Sequence, residues 1–396
     1  MTDRHSSKHS CIGIFNDSYP PILDGVTLTV ENYVRWLGDM GMNPCVVTPW
    51  NPNRVDCGYD VLRYFSLPIF SRQPYRYGYP KLDPFIWRKL DRTPFRLAHS
   101  HCPFSSGRLA VYVKKHQKVP LIGTFHSKYR TDLEHSFPHA PWFVDIIMKR
   151  IIDFFNACDE VWIPQASVEP TVREYGYNGP LTVVDNGIDF AAIPDEDVED
   201  MKQQARKKLG IPSETLSLLF VGQHIWEKGI GIIANTLPLL LPDIDFRIDF
   251  IGTGYASQEL RKLVGRLGVT DRVHMHGTIS DRETLKIFYA AADLFLFPSL
   301  YDNAPLVVRE AAAMATPAII PEGSTASEII SDLHNGFLTG RTPDEYAALI
   351  RRLASDRTTI RTAGHQAKQT IVRSWKEVVE EVADRYESLL RRTSNH

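Results

Sequence analysis

Cysteine is scarce in this chain: Cys11, Cys45, Cys57, Cys102 and Cys158 are the five in 396 residues, with no CxxC pair among them. That argues against a disulfide framework and a thiolate metal site, and it fits a protein made for a reducing cytoplasm. Net charge is close to nil at -2, so the basic excess of a nucleic-acid-binding protein is missing. No uninterrupted apolar run approaches the roughly 20 residues that span a bilayer. The polar residues 1–10 lead straight into a strand, which is not the pattern of a signal peptide. Metal motifs are thin as well. His99-Ser100-His101 has no carboxylate or thiolate partners at ligand spacing and reads as a polar strand end. Asp243-Ile244-Asp245 stands at the entrance of a strand, the wrong end for a ligand, and reads as surface.

What is present is the material for two cores. A chain of 396 residues, 43% hydrophobic, is long enough for two domains. In the first half, residues 11–15, 45–48, 121–124, 160–163 and 182–184 read as buried strands. Residues 26–40 carry helical spacing through Leu28, Tyr33, Trp36 and Leu37. The second half repeats the scheme, with strands running into Gly222, Gly252, Gly277 and Phe297 and another at 318–320. Such units build parallel sheets that hold ligands at their strand C-terminal ends. The acidic run 195–200 reads as a charged helical linker, which sets domains at 1–195 and 196–374, with 375–396 packing back on the first. The expected fold is α/β: two doubly wound, Rossmann-like domains facing across a cleft.

The stretch Pro298-Ser299-Leu300-Tyr301-Asp302-Asn303-Ala304-Pro305-Leu306 carries the most chemistry. Asn303 is the expected N-cap of a helix with Pro305 in its first turn, where a missing N–H costs nothing. Free N–H groups at a helix start favour anions, so this turn reads as a cradle for a phosphorylated ligand. Glu310 lies on the same small, apolar helix. An unpaired charge in an apolar interior is costly, so Glu310 either takes ligand hydroxyls or stands at the surface, and the segment alone leaves both open. Lys228, beside Gly229 at another helix start, suits a diphosphate. His126 follows a strand, where a histidine hydrogen-bonds a ligand, moves a proton or is simply structural. Gly25 opens the first helix and admits a close backbone, although a loop glycine is usually a turn. Gly252-Thr253-Gly254 lacks the third glycine of a dinucleotide fingerprint. Between 72 and 90, Tyr75, Tyr77, Tyr79, Phe85 and Trp87 mix with Arg72, Arg76, Lys81, Arg88 and Lys89. That mixture suits an anionic lipid surface, or a packed loop with solvated charges.

Taken in order, these features resemble one family over nearly the whole chain. The Gly25 loop, His126, Asn186-Gly187-Ile188-Asp189, Val221-Gly222, Lys228-Gly229, the 251–254 turn, His276-Gly277, Pro298-Ser299 and the carboxylates Asp302 and Glu310 resemble the retaining GT-B glycosyltransferases of group 1, the family 4-like enzymes. The resemblance places the family's acid-x7-acid motif on Asp302 and Glu310. It implies a nucleotide-sugar ribose on Glu310, donor-sugar hydroxyls on Asp302, and the sugar and phosphates beside the main chain of Asn303, Ala304, Pro305 and Leu306, of which Pro305 has no N–H to donate. It further implies the diphosphate on Lys228 and the transferred sugar near His126, with Gly25, Gln223, Gly254 and Gly277 completing the donor-binding set. His126, Lys228 and Asp302 are the implied catalytic set, with no metal or cofactor and a UDP-sugar as the favoured donor.

Two positions depart from the family. Asp302 stands where glutamate is usual and Gln223 where arginine is usual, which implies an altered donor preference; Arg309 and Lys128 are candidate replacement cations. The loop with Tyr19-Pro20-Pro21 and Asp24-Gly25-Val26, and the run His126-Ser127-Lys128-Tyr129, resemble members that glycosylate diacylglycerol or other membrane lipids. The expected acceptor is therefore a lipid at the inner membrane face. A polysaccharide or small-molecule acceptor, a catalytically weak nucleotide-sugar-binding protein and a Rossmann oxidoreductase are the alternatives.

Overall fold

The computed structural model describes residues 10–22, 24–56, 58–69, 74–190, 193–241 and 243–394, so residues 1–9, Cys57 and Arg72, all drawn on above, lie outside it. The chain divides into two compact units, Met1–Gly187 with Trp375–His396, and Ile188–Ser374.

The first unit holds strands β1 (Cys11–Phe15), β2 (Pro44–Pro49), β3 (Asp60–Tyr64), β4 (Ser66–Pro68), β5 (Arg76–Gly78), β6 (Phe95–Ser100), β7 (Leu121–Thr124), β8 (Glu160–Ile163) and β9 (Leu181–Val183). Its helices are α1 (Gly25–Asp39), α2 (Pro84–Arg92), α3 (Ser105–Gln117), α4 (Tyr129–Ser136), α5 (Pro141–Asn156) and α6 (Glu169–Glu174). Seven strands form one parallel sheet in the order β3-β2-β1-β6-β7-β8-β9, and β4 and β5 pair antiparallel beside it. The sequence order reverses between β1 and β6. In an open parallel sheet that reversal opens a crevice at the strand C-terminal ends.

The second unit repeats the design with β10 (Leu216–Val221), β11 (Phe246–Ile251), β12 (Val273–Gly277), β13 (Leu294–Leu296), β14 (Ala318–Pro321) and β15 (Phe337–Thr339). Helices α7 (Val198–Leu209), α8 (Ile230–Leu240), α9 (Ser257–Arg266), α10 (Arg282–Ala291), α11 (Leu306–Ala313), α12 (Pro343–Ser355) and α13 (Arg357–Thr370) cover it. The strand order is β12-β11-β10-β13-β14-β15, so here the reversal falls between β10 and β13. Strands β10, β13 and β14 are buried along their whole length, as expected of runs with helices on both faces.

The last helix, α14 (Trp375–Ser394), belongs to the first unit. Val378, Val382, Tyr386 and Leu389 recur at helical spacing and are buried. Tyr386 stacks on Trp162 of β8 with ring centroids 5.8 Å apart. Arg96 pairs with Glu387, and Arg392 with Glu160.

Three expectations need correction. The division falls after Gly187 and not at 195, because Phe190, Ile193, Val198 and Ala205 are all part of the second unit's core. The acidic run is accordingly not a linker: Asp195 pairs with Lys368, and α7 anchors to the sheet through Lys202 and Arg206 on the buried Asp293. The 72–90 stretch is not a loop where described. It forms β5, a 3-10 turn and α2, whose N-cap Asp83 accepts from the N–H groups of Phe85 and Ile86. Ile86 and Leu90 face the core, and Leu82, Phe85, Arg88 and Lys89 face solvent. Among the described residues, no helix is long and apolar enough to cross a membrane.

Candidate active site

In the second unit the strand-order reversal brings together the loops after β10 and β13. The loop after β10 turns through Gly222 and Gln223 into a 3-10 turn, Trp226–Lys228. Gly229 then takes a left-handed φ of +72° and opens α8. A Cβ at Gly229 would lie 2.8 Å from both Cγ and the carbonyl oxygen of Pro298. Only glycine lets this loop lie against the Pro298 turn in that conformation. The contact carries Lys228 to the Asp302 carboxylate, and the two form an ion pair that is largely shielded from water. Ser299 donates to the other Asp302 oxygen at 2.6 Å, and Thr325 donates to the Asp302 carbonyl. The Lys228 ammonium also lies 5.7 Å from the Tyr301 ring centre.

The helix start differs from expectation. α11 begins at Leu306 with Pro305 in the extended cap position, and no side chain caps it. Asn303 is therefore not the N-cap; it is buried two residues earlier. The reason is local: a residue preceding proline is disfavoured in the helical region, so the helix does not run through Ala304 and waits for Leu306. Its first N–H groups thus lack a side-chain acceptor from their own chain end, as an anion cradle requires.

Glu310 has a partner that sequence reasoning missed. Only 4% exposed, it accepts from Arg282 Nη2 at 2.6 Å and from Tyr289 Oη at 2.8 Å, both on α10. Arg282 also forks onto Asp189 and lies 4.3 Å over the Phe190 ring. Burial, with the Glu310 carboxylate beside it, holds the Tyr289 phenol well above its usual range, so it donates at any ordinary pH. Nothing adjacent in sequence marks Arg282 for this role; only the fold shows it spanning Asp189 and Glu310.

The glycine loops frame the same end of the sheet. Gly252 N–H donates to the Gly277 carbonyl at 2.7 Å. Gly254 lies against the His224 carbonyl, where a Cβ would approach to 2.4 Å. Gln223, in the loop after β10, is exposed. At Gly252 (φ +126°) a Cβ would lie 1.9 Å from the Gly222 carbonyl oxygen. Gly252→Ala is accordingly expected to destabilise the second unit by more than about 2 kcal/mol, read as a lowered melting temperature. Arg309 is no replacement cation, because it is buried and donates to the Ile371 carbonyl at the end of α13. The Asp243 and Asp245 carboxylates pair with Arg351 and Arg272 at the opposite, N-terminal end of β11.

In the first unit, Gly25 is the exposed first residue of α1, behind an N-cap Asp24 that accepts from Thr27 N–H and from Tyr75 Oη at 2.9 Å. Lys128 is at the cap position of α4. His126 lies two residues past β7, partly buried, with Nε2 3.0 Å from Nδ1 of His101. Burial holds its pKa down to about 4, so the ring is neutral at physiological pH.

Two parallel-sheet units of this kind have the architecture of the GT-B fold. The chain belongs to the group 1 glycosyltransferases: residues 201–370 match the family "Glycosyl transferases group 1" and residues 23–192 match "Glycosyltransferase Family 4". It is 25% identical over 348 residues to an alpha-monoglucosyldiacylglycerol synthase of Streptococcus pneumoniae, covering 86% of this chain and 78% of the relative. It is 24% identical to the enzyme of the same name from Acholeplasma laidlawii, covering 86% and 87%. A D-inositol 3-phosphate glycosyltransferase of Streptomyces bingchenggensis is 28% identical, covering 75% and 67%. Among solved structures, sucrose-phosphate synthase from Thermosynechococcus elongatus superposes with a TM-score of 0.79 at 20% identity, covering 96% and 99%. Anabaena HepE, in complex with UDP and glucose, gives 0.75 at 18% identity, covering 96% and 100%.

Proposed function

We propose that this glycosyltransferase moves a hexose from a nucleotide diphosphate-sugar, with UDP-sugar favoured, to a hydroxyl of a membrane lipid such as diacylglycerol, with retention at the anomeric carbon. The observation that carries the donor half is the juxtaposition of Lys228, Asp302 and the uncapped start of α11 at the reversal between β10 and β13. A diphosphate there competes with Asp302 for Lys228, and the first N–H groups of α11 take the remaining oxygens. Glu310, Gln223, Gly254, Gly277, Asn303, Ala304 and Leu306 are assigned to holding the donor, and Asp302 to its sugar hydroxyls. Gly25 is assigned with them to the donor, and His126 to the transferred sugar.

In the reaction the bond from the anomeric carbon to the phosphate oxygen breaks and a bond to the acceptor oxygen forms on the same face. The acceptor proton leaves with the diphosphate. Lys228 and the helix start stabilise the charge growing on that leaving group, the largest electrostatic demand of the step, so no divalent metal is called for.

The lipid acceptor is supported by the names of the two diacylglycerol-glucosylating relatives and by the exposed Leu82 and Phe85 beside Lys81, Arg88 and Lys89 in the first unit. Apolar side chains fringed by lysine and arginine suit the surface of an anionic membrane. The test offers UDP-, GDP- and ADP-hexoses with diacylglycerol vesicles, with and without a chelator. The expected product is an α-hexosyl lipid from an α-configured UDP-hexose, formed in chelator. Transfer to soluble inositol phosphates or glycans in preference to vesicles would favour the second reading, a small-molecule or polysaccharide acceptor, which the inositol-phosphate relative supports. Nucleotide-sugar binding without turnover on any acceptor would reduce the protein to a binder.

A further inference from the structure

Three histidine rings stand in line at the strand-order reversal of the first unit, and only one of them has a role above. His99, in β6, and His101, just past it, lie with centroids 4.2 Å apart; His101 and His126 are stacked at 5.2 Å with an interplanar angle of 20°. The far end of the row is fixed. His99 Nε2 meets Thr124 Oγ1 at 2.6 Å, and its Nδ1 meets Tyr386 Oη of α14 at 2.5 Å. Tyr33 packs edgewise on His99 and His101, at 5.7 and 5.1 Å. All three rings are kept neutral by burial, which His101 and His99 feel most strongly.

The contact between His101 Nδ1 and His126 Nε2, 3.0 Å long, is nitrogen to nitrogen, so one proton lies between two neutral rings. Either His101 is protonated at Nδ1 and donates, or His126 is protonated at Nε2 and donates. The remaining nitrogen of His101 decides between them. Its Nε2 is buried and has no hydrogen-bond partner. In the second arrangement that nitrogen would be a buried N–H without an acceptor, and orphaned buried donors are rarer than under-satisfied acceptors. In the first it is only an unused lone pair.

We infer that His101 is the positioning residue of His126: donating from Nδ1 to His126 Nε2, it holds His126 as the tautomer protonated at Nδ1. This rests on the role proposed for His126 in transfer and makes it specific. His126 then offers the sugar a hydrogen bond from Nδ1–H, and its other nitrogen is occupied, so it does not serve as the base that deprotonates the acceptor hydroxyl. Thr124, clamped by His99, fixes the strand end from which His126 departs, and α14 completes the seat through Tyr386.

The test pairs a tautomer readout with kinetics on the full chain. Long-range proton–nitrogen correlation spectra of histidine-labelled protein are expected to show His126 protonated at Nδ1 in the wild type. In His101→Phe, which keeps the stacking and removes the donor, His126 is expected to shift toward the Nε2 form. The same variant is expected to lower kcat about 10- to 100-fold with little change in the donor KM. His101→Asn, whose amide N–H falls near the Nδ1 position, is expected to restore both the tautomer and transfer to within about threefold. Wild-type His126 protonated at Nε2 would overturn the inference whatever the activity, and so would a tautomer unmoved in His101→Phe; this wild-type measurement stands even if that variant fails to fold. The stated tautomer shift with transfer unchanged would overturn the role given to His126 in the reaction.

Discussion

Lys228→Ala is expected to lower turnover about 100-fold or more, with a weaker affinity for UDP-hexose and a moderate fall in melting temperature. The argument starts from where the lysine is held. Gly229 against Pro298 fixes the 3-10 turn, and Asp302 with Tyr301 gives the ammonium its neighbours. With Gln223 exposed and uncharged where the family has arginine, no second cation of that kind stands in the loop. Removing Lys228 therefore takes away the positive charge from the departing diphosphate and leaves Asp302 uncompensated next to it. Repulsion adds to the lost attraction. The stability cost is about 1–3 kcal/mol, because the shielded Asp302 carboxylate loses its cation while Ser299 still donates to it. Near-normal turnover in Lys228→Ala would remove this residue from the mechanism, whereas a collapse of melting temperature would mark the pair as structural. Steady-state kinetics and calorimetry on one preparation separate these outcomes.

What was legible in the sequence follows a physical line between local and distant contacts. The turn at Pro298, the glycine at 229 and the strand ends carry their signals within a few residues, and they led to the loops that the strand-order reversal brings together. The start of α11 lies a few residues beyond the one that the capping preference of Asn303 suggests, because the constraint of Pro305 on Ala304 is stronger. Glu310 was recognised as needing a partner, but nothing near it in sequence names Arg282 or Tyr289, which a different helix delivers. His99-Ser100-His101 reads in sequence as a polar strand end. Its significance depends on β6 and β7 being neighbours, which sets His101 against His126. Arg309 is a candidate cation by its place on a site helix, yet 100° per residue turns it toward the Ile371 carbonyl.

Glu310→Ala is expected to show the second large effect, and in two quantities at once. Donor affinity should fall on the order of 10- to 100-fold, since the carboxylate proposed to accept from ribose hydroxyls is gone. Stability should fall by about 2–4 kcal/mol, because the buried Tyr289 hydroxyl loses its acceptor and Arg282 is left with Asp189 alone. The two losses have different causes, and Glu310→Gln parts them. An amide still accepts from Tyr289 or Arg282 through its oxygen and fills the same volume, so its stability cost is expected near 1 kcal/mol. Its weakened, uncharged acceptor should nonetheless leave most of the donor-affinity loss in place. Arg282→Ala supplies the opposite case: Glu310 keeps Tyr289 but becomes a buried charge without a cation, so stability should fall by about as much as in Glu310→Ala. If Glu310→Gln binds UDP-hexose like the wild type while Glu310→Ala is merely unstable, Glu310 is a structural partner of α10 and the ribose is held elsewhere.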